Sequence, residues 1–349
     1  MNTNSALIGD LSLLERLRSR FRVRNDLIRC ALAELICTGM FVWIGTSCIA
    51  QALLSRGRSN EYIALPIGWG LALAFSVQLG FRISGSHLNP AVSLFMFTFG
   101  QISFVRFLVY AASQVMGAFL GSLVTFIVYY DAINAFDGGE RYVTGPLQTA
   151  KIFATYPSEH LSAIGGFIDQ VTGTAFLCIC IGMITDRRNR IDLWLQVFDF
   201  FAIFIFLIPL LVYAILYNTS ISVSLAVNPA RDLGPRLFTL CAGYGWKVIS
   251  YRNYTWWWIP FLAPFIGGLA GAWLYQLAIG MHIPSEIDEL EEKIRRIQFD
   301  KAQTQNLFGN TQPIISATTS KPPAAVQPPI HHIHGSNKSI SSGNSVKAA

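Results

Sequence analysis

The chain has 349 residues, 52% of them hydrophobic and only 13% charged, with a net charge of +6. That balance excludes an ordinary soluble globular protein, and the basic excess sits at the flanks of apolar runs rather than in a pattern suited to nucleic acid. Six runs have the length of a bilayer crossing, about 30–52, 62–81, 104–130, 161–184, 196–217 and 256–281, so the expected fold class is an all-α membrane protein. The six cysteines (30, 37, 48, 178, 180 and 241) lie mostly inside these runs without metal-ligand spacing. They read as small packed hydrophobes, and the sequence calls for no metal and no cofactor.

Residues 1–29 are polar and Arg-rich with no apolar core, so no cleavable leader is expected. Arg16, Arg18, Arg20, Arg22, Arg24 and Arg29 outnumber Glu15 and Asp26, which predicts a cytoplasmic N-terminal segment. The same arginines also suit an anionic lipid surface, but the topology signal alone explains them and is the preferred reading. The first span carries Glu34 in an otherwise apolar helix. A carboxylate there is either functional or an acceptor for buried loop backbone, and the second reading is preferred.

The second span holds Trp69 and runs into Ser84-Gly85-Ser86-His87-Leu88-Asn89-Pro90-Ala91-Val92. Asn followed by Pro starts a helix: Asn caps it, and Pro fits the first position because its missing N–H would be unpaired there. The apolar piece from Ala91 to Phe99 is about half a crossing, which predicts a re-entrant half-helix. In the third span Gln114, Gly117 and Gly121 give a spacing that lets helices approach closely. A connection of about 30 residues follows and is expected outside.

In the fourth span Gln170 falls in register on Glu34, and Thr174 on Thr38. Asp186-Arg187-Arg188-Asn189-Arg190 then makes a basic inside loop. The fifth span leads to a second start signal, Asn228-Pro229-Ala230-Arg231-Asp232-Leu233-Gly234-Pro235-Arg236, 139 residues after the first. In the sixth, Pro264, Gly267 and Gly271 repeat the spacing of Gln114, Gly117 and Gly121.

The expected architecture is therefore six transmembrane helices plus two re-entrant half-helices, arranged as an inverted two-fold repeat with its polar site near the midplane. The channel domain spans 30–282, with repeat 1 over about 30–130 and repeat 2 over about 161–282. A cytoplasmic helix is expected over 283–301, with apolar positions 287, 290, 294 and 297 on one face, then a disordered cytoplasmic tail over 302–349. His331, His332 and His334 in that tail read as composition rather than as a metal site.

Two half-helices meeting at their N-termini bring two positive dipole ends together. Each Asn spends its side-chain oxygen on its own cap and keeps its NH2 for a lumen. Such a site suits small neutral polar solutes and repels cations, with Arg231 adding to the repulsion.

This pattern resembles the aquaporin family (major intrinsic proteins) over roughly residues 28–282. The Asp232 and Arg236 that follow the second motif, the Trp256-Trp257-Trp258 run and the longer second half are similar to its glycerol-conducting branch, the aquaglyceroporins. The resemblance implies an aquaporin-like fold, a passive pore for water and glycerol in each subunit, a homotetramer, and a selectivity filter at Trp69, Leu216, Leu225 and Arg231. Leu216 and Leu225 depart from the branch, where a Gly and an aromatic are usual. It also implies loop-supporting roles for Glu34, Gln170 and His87. Partners are then water, glycerol, other small neutral solutes and membrane lipids, in an integral protein of the plasma membrane with both termini cytoplasmic. An inverted-repeat secondary transporter and a closed-pore junction protein remain as alternatives. No catalytic constellation is present, so no enzyme activity is expected. Asn253-Tyr254-Thr255 is a glycosylation sequon in the second outward loop. Asn218 sits too close to the membrane, and Asn337 inside.

Overall fold

The computed structural model describes residues 12–59, 64–190 and 226–308. The crossing expected over 196–217, with the filter candidates Leu216 and Leu225, lies outside the described residues. Among those described, every regular element is helical. A short helix α1 (Leu13–Phe21) precedes α2 (Asp26–Leu54) and α3 (Ala64–Ser84). The half-length α4 (Pro90–Thr98) is followed by α5 (Phe104–Val128), α6 (Tyr130–Asp137) and α7 (Ala163–Thr185). The second half-length helix is α8 (Pro229–Thr239), and α9 (Ile259–Ala278) and α10 (Glu286–Phe308) complete the order. Five described helices, α2, α3, α5, α7 and α9, are long and apolar enough to cross a membrane.

The spans begin where the chain can satisfy its first free N–H groups. Asn25, Ser103 and Ser162 cap α2, α5 and α7, each accepting from the amide three residues on. Along α2 one face is buried, with Cys30, Glu34, Cys37, Phe41 and Gly45 at helical spacing, while Ile36 and Trp43 are exposed on the other. In a bilayer the exposed apolar face meets lipid, so the buried side is distinguished by small and polar groups.

Small residues set two matching helix pairs. A Cβ on Gly117 would stand 2.2 Å from the Leu35 carbonyl oxygen, and one on Gly121 2.3 Å from that of Gly39. In the second half a Cβ on Gly267 would stand 2.2 Å from the Val171 oxygen, and one on Gly271 2.0 Å from that of Ala175. Thus α5 lies on α2 as α9 lies on α7, backbone against backbone.

The connection after α5 has more structure than its composition suggests. It forms α6 and a short turn at Ala150–Ile152, and it buries Ile133, Val143, Ile152, Phe153 and Tyr156 with Phe238, Tyr244 and Val248 from the second half. Buried Asp137 organises it, accepting from Arg141 Nη1 at 3.0 Å and Thr149 Oγ1 at 2.7 Å.

The described residues from Leu290 onward belong to a unit separate from that of the residues up to Glu289. They continue α10 to Phe308, past the end expected at 301.

Candidate pore

Each half-helix starts as its sequence dictates. Asn89 Oδ1 accepts from Ala91 N at 2.9 Å; Asn228 Oδ1 accepts from Ala230 N at 3.0 Å and Arg231 N at 3.3 Å. Pro90 and Pro229 occupy the first helical position.

The residue before each Asn is held in the left-handed region, Leu88 at φ 57° and Val227 at φ 45°. For a β-branched residue such as Val this is a strained backbone that surrounding bonds must enforce. They do so on both sides of the peptide. Leu88 N donates to Glu34 Oε2 at 2.9 Å, and Val227 N to Gln170 Oε1 at 3.1 Å. The Leu88 carbonyl accepts from Asn228 Nδ2 at 2.8 Å, and the Val227 carbonyl from Asn89 Nδ2 at 2.9 Å. Each Asn therefore caps its own helix and ties down the opposite loop. One hydrogen of each amide is spent across the junction, so only one, not the whole NH2 group, remains for the lumen.

Glu34 is saturated. Ser84 Oγ donates to Oε1 at 2.6 Å and His87 N at 2.9 Å, while Gln114 Nε2 joins Leu88 N on Oε2 at 2.8 Å. His87 turns its ring away from that carboxylate, with Nδ1 3.0 Å from Ser93 Oγ and its ring edge-on to Tyr110. Gln170 Oε1 carries Ala226 N at 3.0 Å beside Val227 N.

These elements enclose a cavity with two kinds of wall. Phe41, Trp69, Leu73, Val77, Leu177 and Ile181 supply an apolar side. Asn89, Asn228, Arg231 and the loop at Gly85, Ser86 and His87 border the polar side.

At one point the two walls close on each other. The Arg231 guanidinium carbon lies 4.8 Å from the centre of the Trp69 ring, a cation–π distance. Arg231 Nη1 donates to the Phe153 carbonyl at 2.9 Å, whereas among the described residues Nη2 has no hydrogen-bond partner, and neither has Trp69 Nε1. The Trp69 ring is fixed from behind by Phe41, edge-on at 5.0 Å, and by Gly45, where a Cβ would stand only 2.3 Å from it.

Asp232 and Arg236 border this constriction without facing it. Asp232 accepts from Thr155 N at 2.8 Å and from Thr155 Oγ1. Arg236 donates to Asp232, to the Val248 carbonyl at 2.8 Å and to the Thr155 carbonyl at 2.7 Å. Trp256 Nε1 donates to that same Thr155 carbonyl at 2.8 Å. Neighbouring Tyr156, under the Arg236 guanidinium, has its hydroxyl pushed up to about 12 by burial. The acidic and basic residues after the second motif thus anchor the loop whose Phe153 carbonyl positions Arg231.

Of the residues singled out from sequence, Trp69, Asn89, Asn228 and Arg231 meet at the cavity, and Glu34, Gln170, Asp232 and Arg236 stand behind it. Leu216 and Leu225 lie outside the described residues. Asn253 is exposed in the turn before α9. Sequence reasoning missed Gly45, Phe153 and Thr155. The latter two lie in a connection without periodicity, and Gly45 looked like any small residue in a span.

Comparison with known proteins agrees with this geometry. The family model described as "Major intrinsic protein" matches residues 22–275. Mouse aquaporin-9 is 38% identical over 269 residues, covering 77% of this chain and 88% of its own. Human aquaporin-10 is 37% identical over 264 residues, covering 75% and 85%. Aquaporin-2 of Milnesium tardigradum is 38% identical over 285 residues, covering 81% and 85%. In fold, the chain is similar to the X-ray structure of the aquaglyceroporin from Plasmodium falciparum, with a TM-score of 0.62 and 24% identity over 73% of this chain and 98% of that one.

Proposed function

The chain belongs to the major intrinsic protein family, and from that membership we infer that it is a membrane channel passing water and small neutral solutes such as glycerol. The observation that carries the reading is the junction of two helix N-termini, locked by reciprocal Asn89 and Asn228 bonds beside a cavity with one apolar and one donor-bearing wall. A polyol has the matching faces: its carbon chain fits the apolar side, and its oxygens accept from Arg231 and the amide hydrogens. An ion entering the same space loses its hydration, which costs far more than fixed donors return, and a cation also meets two positive dipole ends and a guanidinium. In this reading Trp69 and Arg231 form the size filter, Asp232 and Arg236 hold the loop that aims Arg231, and Glu34 and Gln170 hold the two pore loops.

The same reading includes a homotetramer in the plasma membrane, both termini cytoplasmic and a glycan on Asn253. The sidedness is supported by the N-terminal arginines and by Arg187, Arg188 and Arg190 after α7, and the glycan by the exposure of Asn253; the tetramer and the plasma membrane follow from the family resemblance alone. The test is stopped-flow light scattering on proteoliposomes. Water efflux followed by glycerol entry, each linear with its gradient and without change in a lumenal pH dye, is the expected result. Saturable flux coupled to an ion gradient would mean a transporter, and no flux at all a closed pore.

A further inference from the structure

The pore does not use α1, yet α1 is the most strongly two-sided helix outside the spans. With successive residues about 100° apart, Leu13, Leu14, Leu17 and Phe21 share one sector of the helix. Arg18 and Arg20 border that sector on either side, Arg16 lies next to Arg20, and Glu15 and Ser19 lie opposite. No residue of α1 is buried, and Leu13, Leu14 and Phe21 are each at least 70% exposed. The helix is also built to start where it does. Ser12 and Glu15 form a reciprocal capping box, which occupies the helix's sole carboxylate.

Charge is unbalanced around it. Among the described residues, Arg16, Arg18, Arg20, Arg22 and Arg24 make no ion pair, because nearby Asp26 is taken by Arg29 and Arg106. The link from α1 to the first span is four residues, Arg22 to Asn25. At about 3.4 Å per residue it reaches no further than ~14 Å, so α1 cannot leave the neighbourhood of the membrane face that α2 enters.

We propose that α1 is an in-plane anchor whose apolar sector enters the bilayer interface and whose flanking arginines bind anionic lipid headgroups. Apolar residues in the centre with arginines on both edges is the arrangement that lets side chains reach up to phosphates while leucines and a phenylalanine sit below. A helix of nine residues is marginal in water, so the lipid surface is also what would keep it folded. The inference rests on the reading that α2 spans a membrane, but not on what the pore conducts.

The test is hydrogen–deuterium exchange of the full chain in nanodiscs of neutral phosphatidylcholine and in discs containing about 30% phosphatidylserine. Amides of residues 16–21 are expected to exchange at least ~tenfold more slowly in the anionic discs, and the difference should vanish near 1 M salt, where screening shortens to about 3 Å. A variant with Arg16→Gln, Arg18→Gln and Arg20→Gln, and a second with Leu17→Ser and Phe21→Ser, should each lose the protection while glycerol flux stays normal. Equal exchange in both discs overturns the proposal, as does protection that survives the three Arg substitutions. Flux measured on the same variants in proteoliposomes reads the channel assignment separately, so failure of one is not mistaken for failure of the other.

Discussion

Asp232 and Arg236 stand one turn apart on α8, joined by a 2.7 Å bond from Nε to Oδ1 with both side chains about 1% exposed. A charge pair so deeply buried is not there for stability alone, since desolvation consumes most of what the pair returns. Its value is positional: both partners hold Thr155, two residues from the carbonyl that fixes Arg231. Arg236→Leu strands a buried carboxylate and should cost about 3–5 kcal/mol, visible as a lower melting temperature in detergent. Adding Asp232→Asn removes the stranded charge and should recover part of that loss. An Arg236→Leu protein that melts normally would remove the pair from the account.

What could be read from the chain beforehand followed from periodicity and helix-start chemistry. Glu34 and Gln170, the two Asn-Pro starts and the paired glycines are local signals repeated at matching spacing, so the inverted repeat was visible without coordinates. The surroundings of the proposed filter were not. Gly45 matters only because the Trp69 ring lies on it, and Phe153 only through a backbone oxygen, which has no sequence signature. The role of each Asn amide was half visible: the cap was clear, but not the hydrogen bond to the opposite loop.

The difference between Glu34 and Gln170 has a physical reason. In the first half, four donors converge, two on each carboxylate oxygen; in the second, two amides share one oxygen. An amide offers one accepting atom and a carboxylate two. Glu34→Gln therefore turns an NH2 group against two donors, and each lost bond to a charged acceptor costs roughly 1.5–3 kcal/mol. Because Leu88 depends on it, the pore loop should loosen, lowering water and glycerol flux together and reducing thermal stability. Normal flux of both solutes would show that Ser84 and Gln114 alone can hold the loop.

Arg231 carries the only charge bordering the cavity among the described residues. Arg231→Val keeps a side chain at the site but removes the guanidinium from the Trp69 face and from Phe153. Proton or cation leak should rise while neutral flux persists, measured with a lumenal pH dye during stopped-flow. If ions stay excluded from a pore that still passes water, the helix dipoles and the low dielectric suffice, and Arg231 serves size selection only.

In the proposed filter, size selection rests on where the Trp69 ring is allowed to lie. A Cβ added at Gly45 would stand 2.3 Å from ring atoms, a distance no packed carbon tolerates, and the ring is already bounded by Phe41 at 5.0 Å and Arg231 at 4.8 Å. With Gly45→Ala the ring must move, and the side away from α2 is the lumen. Water needs the smaller opening, whereas glycerol must pass with most of its hydration removed. One hydroxyl left without a partner costs ~1–3 kcal/mol, about ten- to a hundredfold in rate. Gly45→Ala should therefore cut glycerol flux at least ~tenfold while water flux falls much less. Trp69→Phe deletes Cε3 and Cζ3, two of the three ring atoms that the new methyl group meets, so adding it to Gly45→Ala should restore part of the glycerol flux. Loss of both fluxes in the single variant, unrelieved in the double, would mean that α2 and α3 have separated rather than that the filter has narrowed.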